Sequence, residues 1–92
     1  MELEQLRIFL AVAETSSFTG AAKRLFVSHS TTSRAVAALE AELGVRLFTR
    51  DRRTVELTEA GRVLCAEGEK LLRAAESAAD AVRAAGTTEE PM

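Results

Sequence analysis

Six consecutive residues, Ser28, His29, Ser30, Thr31, Thr32 and Ser33, carry hydroxyls or an imidazole, and Arg34 follows them. Short hydroxyl side chains compete for the backbone's own hydrogen-bonding groups, so they make a poor opening for a helix. Yet Val36, Leu39 and Leu43, with Gly44 behind them, are spaced as an amphipathic helix and its stop. One N-cap accounts for one residue, since Ser28 can accept a hydrogen bond from an unsatisfied N–H of the first turn. The remaining polar groups suit a different task. A helix that enters the DNA major groove by its N-terminal end presents short donors and acceptors to base edges and phosphates, and its dipole favours the phosphates. Ser28, His29, Ser30, Thr31, Ser33 and Arg34 are the candidate contacts. Arg34 leads them, because a guanidinium can reach guanine or a phosphate with two hydrogen bonds. The plainer alternative is a serine-rich loop that runs into an ordinary helix.

A second group of cations lies close behind. RLFTRDRR, residues 46–53, holds four arginines, and its turn bears Arg50, Arg52 and Arg53. The flanking runs, 45–50 and 54–58, contain β-branched and aromatic residues and predict a two-stranded β-hairpin. Alone, an arginine turn is a solvated tip. After a helix with a polar leading end, it suits a wing against a minor groove or phosphate backbone.

The elements that must hold these groups are helical. Leu3, Leu6, Phe9, Leu10 and Ala13 predict a first helix over residues 3–14. Thr15, Ser16 and Ser17 interrupt it. Phe18, Ala21, Ala22 and Leu25 then predict a short second helix whose small residues allow close approach. A short helix, a tight link through Phe26 and Val27, and a third helix make a helix-turn-helix. Thr58 caps a last helix with Glu59 in its first turn, where the dipole favours negative charge. Along that helix Leu64, Gly68, Leu71, Ala75, Ala78, Val82 and Ala85 alternate at intervals of four and three, the spacing of a coiled-coil seam. From Thr58 to Ala85 such a helix is about 42 Å long, too long for a small core to cover. The spacing therefore predicts a second chain against its far half.

Composition excludes other classes. The 92 residues make one small domain, 47% apolar and 28% charged, and no apolar run nears the roughly 20 residues of a membrane span. Glu2 and Glu4 replace the basic start of a secretory signal, so a cytoplasmic, nucleoid-associated location is expected. A single Cys65 and a single His29 offer neither a disulfide nor a metal-ligand spacing, and no nucleophile stands with a base. No enzyme activity, metal or cofactor is expected. The net charge of −2 conceals a basic middle: residues 20–62 carry eight positive and five negative charges, while both flanks are acidic. The four Phe residues fall at apolar positions and Trp and Tyr are missing, so duplex DNA suits the chain better than single strands or RNA.

LRIFLAVAETSSFTGAAKRL, SRAVAALEAELGVRLFTR and VELTEAG together resemble the N-terminal DNA-binding part of a LysR-type transcriptional regulator, over about Leu3 to Ala85. The resemblance implies a mainly α, winged helix-turn-helix fold with a long dimerising linker helix, paired antiparallel in a homodimer. It also implies transcriptional regulation, an interrupted palindrome in double-stranded DNA, and a tetramer in the full-length protein. The expected organisation is a DNA-binding domain over 1–58, a linker helix over 59–86 and a flexible tail over 87–92. In similar proteins an effector-binding domain follows the linker helix. That domain is absent from this chain, which is expected to be a piece of a longer protein rather than a stand-alone binder. The family usually has Gln at the position of His29 and an aliphatic residue at Thr32, so the base preference of His29 does not carry over. Thr32 is expected to bond back to a helix carbonyl. The rival to DNA binding is a helical interaction module whose seam takes another protein and whose basic turn is only solvated.

Overall fold

The computed structural model describes residues 1–49, 51 and 54–88, with side chains to residue 86. Four helices follow one another: α1 Leu3–Thr15, α2 Phe18–Leu25, α3 His29–Leu43 and α4 Glu59–Thr88. Each start has a local cause. Ser17 caps α2 by accepting from the Gly20 amide at 2.8 Å, and Ser28 caps α3 by accepting from Thr31 at 3.0 Å. Thr58 caps α4 by accepting from Gly61 at 3.0 Å, while its own hydroxyl donates to the Arg46 carbonyl at 2.6 Å. α3 ends where Gly44 takes φ 72°, a left-handed conformation that glycine adopts without steric cost.

α1 is the hub of the core. Leu6, Phe9, Leu10 and Val12 pack against Ala21 of α2, Val36 and Leu39 of α3, Leu64 of α4 and the segment of Leu47 and Phe48. The Phe48 ring lies 5.3 Å from that of Phe9 and 5.8 Å from that of Phe18, so it anchors the segment after α3 to both leading helices. Ala21 and Ala22 are buried, as small residues must be where two helices approach closely. Leu43 departs from the expected apolar face of α3 and stays 42% exposed. Leu47, beyond the Gly44 cap, fills the buried position instead at 1%.

The expected hairpin is reduced to an antiparallel bridge between Phe48 and Leu57, and no strand is present among the described residues. Two bonds frame the bridge, from the Thr49 amide to the Glu56 carbonyl at 2.8 Å and from the Thr58 amide to the Leu47 carbonyl at 3.0 Å. Among the described residues the pairing does not extend into a ladder. α4 continues past the expected end at Ala85 to Thr88, because Gly86 and two threonines weaken a helix without blocking it. Thus Thr87 and Thr88, expected in the tail, are helical, and residues 89–92 lie outside the described residues.

The seam expected along α4 divides in two. Leu64 is buried in the chain's own core, and Gly68 lies against Leu6, where a Cβ would stand 2.8 Å from Leu6 Cδ1. These two positions are therefore internal packing and not a free seam. Farther along, α4 runs beyond α1, and Leu71 (44%) and Val82 (71%) are exposed. Ala78 is exposed and Ala75 half-buried beside them. Among the described residues no helix is long and apolar enough to cross a membrane.

Candidate nucleic-acid interface

Helical geometry decides which polar residues of α3 face outward. Thr32, Ala35, Val36 and Leu39 are buried and share one side at i, i+3, i+4 and i+7. The opposite side carries Ser30, Arg34, Ala37, Ala38 and Ala41, all exposed. His29 is exposed at the leading end, and its ring stands 6.2 Å from that of Phe18, tilted by 43°. Thr31 and Ser33 are half-buried on the shoulders of the helix. Ser33 lines a cleft with Phe18, Val36, Phe48 and Thr49, between α3 and the segment that follows it.

The hydroxyls are not equivalent. Ser28 Oγ accepts from the Thr31 amide and donates to Thr31 Oγ1 at 2.9 Å, so it is occupied by the cap. Ser30 Oγ lies 3.2 Å from Ser28 Oγ. Thr32 is fully buried and donates to the Ser28 carbonyl at 3.1 Å, the back-bond expected of a threonine turned toward a core. Arg34 makes no hydrogen bond or ion pair among the described residues, which leaves its guanidinium free. Arg24, by contrast, pairs with Glu14 at 2.5 Å, and Arg62 with Glu59 at 2.7 Å. Arg50, Arg52 and Arg53 lie outside the described residues.

Two features of this surface escaped the sequence reading. The first is the row Ala37, Ala38 and Ala41, whose side chains end at Cβ and would let the helix axis approach a groove floor closely. Their small size at i+3, i+4 and i+7 from Arg34 was the available signal. The second is Glu40. Its carboxylate is turned inward, accepting from the Leu47 amide at 2.8 Å and from Phe48 at 3.4 Å, with Arg46 at 3.9 Å. An acidic side chain facing a phosphate would repel it; here it fixes the backbone that leaves α3. No group of three His, Cys, Asp or Glu side chains is placed to hold a metal among the described residues.

Known proteins share this arrangement. The model of bacterial regulatory helix-turn-helix proteins of the lysR family matches residues 3–62. The regulator TcbR of Pseudomonas sp. (strain P51) is 45% identical over 85 residues, 92% of this chain and 29% of TcbR. ClcR of Pseudomonas putida is 44% identical over 89 residues, 97% of this chain and 30% of ClcR. The chain thus spans less than a third of the length of these two relatives. Among solved structures, the CbnR DNA-binding domain in complex with DNA superposes with a TM-score of 0.88 at 44% identity, covering 94% of this chain and 99% of that one. The BenM DNA-binding domain with its catB site 1 DNA gives 0.91 at 34% identity, covering 98% and 100%. The chain belongs to the LysR family of bacterial helix-turn-helix regulatory proteins.

Proposed function

We propose that this chain binds double-stranded DNA sequence-specifically, as a dimer, with the N-terminal half of α3 in a major groove. The observation that carries the reading is the outward face of α3: a free Arg34, exposed His29 and Ser30, and alanines behind them, all on a fold shared with domains solved on DNA. Ser28 and Thr31 hold the leading turn in shape, while His29, Ser30, Ser33 and Arg34 supply the groups that meet bases and phosphates. The residues between Phe48 and Leu57 form the wing. Their antiparallel bridge supports a hairpin whose Arg50, Arg52 and Arg53 rest on the adjacent backbone or minor groove.

Residues 1–58 act as the DNA-binding unit, and α4 over 59–86 joins two copies through Leu71, Ala75, Ala78 and Val82. The two units then meet major grooves a whole number of turns apart, about 34 Å each, which requires an interrupted palindrome. The protein works in the bacterial cytoplasm as a regulator of transcription and performs no catalysis itself.

Selection of bound duplexes from a random pool at physiological salt tests the reading. An enriched interrupted palindrome is the expected result. Weak, motif-free binding, together with a salt-insensitive association through α4, would overturn it in favour of a helical protein-interaction module.

A further inference from the structure

Phe26 is the most exposed large apolar side chain among the described residues, at 95%. It also holds a left-handed backbone, φ 59° and ψ 42°, at the C-cap of α2. Only glycine takes that conformation freely, with asparagine next, so folding alone would favour either over an aromatic residue. Phe9, Phe18 and Phe48 are joined by ring contacts in the core, and Phe26 stands outside that group. Nor is the connection loose. The Phe26 amide donates to the Lys23 carbonyl at 3.4 Å, and the Val27 amide donates to the Ala22 carbonyl at 3.0 Å. Val27 is half-buried, which pins the chain beside it. The ring is therefore presented outward from a fixed turn, two residues before the Ser28 cap. Two Cα steps keep these residues within about 7.6 Å of each other. A turn that feeds the leading end of α3 must ride at the edge of any groove that end enters. Exposed Lys23, on the preceding helical turn, brings a cation to the same edge.

We infer that Phe26 is a further DNA contact, its ring packing on the C5-methyl of a thymine at the edge of each half-site; this rests on the duplex-binding reading above. The thymine methyl is the apolar group that base pairs display in the major groove, and phenylalanine is among the side chains that suit it. Removing water from ring and methyl together reads a base without a hydrogen bond, so the contact adds preference for a T·A pair at one position.

The test uses Phe26→Asn, which keeps a residue tolerant of the left-handed turn, and Phe26→Gly as a second variant. The probe is the duplex most enriched from the random pool, with each thymine near a half-site edge replaced in turn by deoxyuridine, which removes only the methyl. One such replacement weakens the wild type about fourfold, the worth of one buried methyl-sized group. Both variants weaken binding to the unmodified duplex at least as much and no longer respond to that replacement. A wild type indifferent to every deoxyuridine, or variants that keep the wild-type response, overturns the proposal. Variants that bind as tightly as the wild type also overturn it and leave Phe26 to a protein partner. Arg34→Ala serves as the control: loss of binding there, with none at Phe26, refutes the Phe26 contact alone. A pool that enriches no motif refutes the duplex reading and this proposal together.

Discussion

The Glu40 carboxylate accepts a hydrogen bond from the Leu47 amide at 2.8 Å, across the Gly44 turn. With Phe48 as a second donor at 3.4 Å, one side chain satisfies two backbone groups of a segment that has little regular secondary structure of its own. Because Leu47 and Phe48 are core residues, Glu40 couples the end of the candidate recognition helix to the core-anchored segment that follows it.

Glu40→Ala should therefore lower stability by about 2 to 3 kcal/mol, the scale for leaving buried amides without acceptors. Glu40→Gln, which keeps one acceptor oxygen, should lose less. Urea unfolding of the three proteins checks the order. A Glu40→Ala protein within 0.5 kcal/mol (roughly the scatter of neutral surface changes) would remove this coupling from the fold.

Gly61 and Gly68 provide a ranked pair. Helix propensity alone makes alanine the better residue by about 1 kcal/mol at each. A Cβ on Gly61, however, would collide with the Leu47 backbone carbonyl, whereas one on Gly68 meets the end of the flexible Leu6 side chain. Gly61→Ala is expected to be the more destabilising, in the range of about 1 to 3 kcal/mol for overpacking. Thermal melts in which Gly68→Ala unfolds first would contradict the packing described.

On DNA, Arg34→Ala should cost about 1 to 3 kcal/mol against the selected site and relax preference at one base pair. Lys23→Ala should weaken all sequences about equally and reduce the salt slope by about 1, as a phosphate contact does. Titrations of specific and scrambled duplexes at several salt concentrations separate the two. Equal losses on both duplexes for Arg34→Ala would make it a backbone contact.

The two halves of α4 predict opposite phenotypes. Leu71→Asp should leave the fold intact and produce monomers, because Leu71 lies on the stripe that the chain itself does not cover. Leu64→Ala should instead destabilise the protomer by about 2 to 5 kcal/mol, the range for a buried leucine. Sedimentation velocity alongside thermal melts reads both. A monomeric wild type at micromolar concentration would refute pairing through α4.

The Cys65 thiol is held above its ordinary value of 9.0, first by burial and then by the negative charges of Glu69 and Glu14. The folded state thus retains its thiol proton to higher pH than the unfolded chain. Its contribution to stability is fully present below pH 9 and is lost as pH rises from there through the folded value. Alkylation by iodoacetamide at pH 8 should accordingly be slower in the native protein than in urea. Equal rates would mean that the thiol is not so shielded.

By itself the sequence determined the four helices, the caps at Ser28 and Thr58, and the polar front of α3, because these follow from periodicity and side-chain chemistry within a few residues. It could not decide which body buries an apolar stripe. Leu64, Gly68, Leu71 and Val82 repeat evenly, and only the placement of α1 turns the first two inward and leaves the others uncovered. The same limit explains why Leu47 and not Leu43 completes the core: the Gly44 cap redirects the chain, and distance along a helix no longer measures distance in space. The inward turn of Glu40 and the outward stance of Phe26 were also invisible. Each depends on a backbone conformation beyond a helix end, where the tertiary contacts of α1, α2 and α3 choose among conformations that local sequence leaves open.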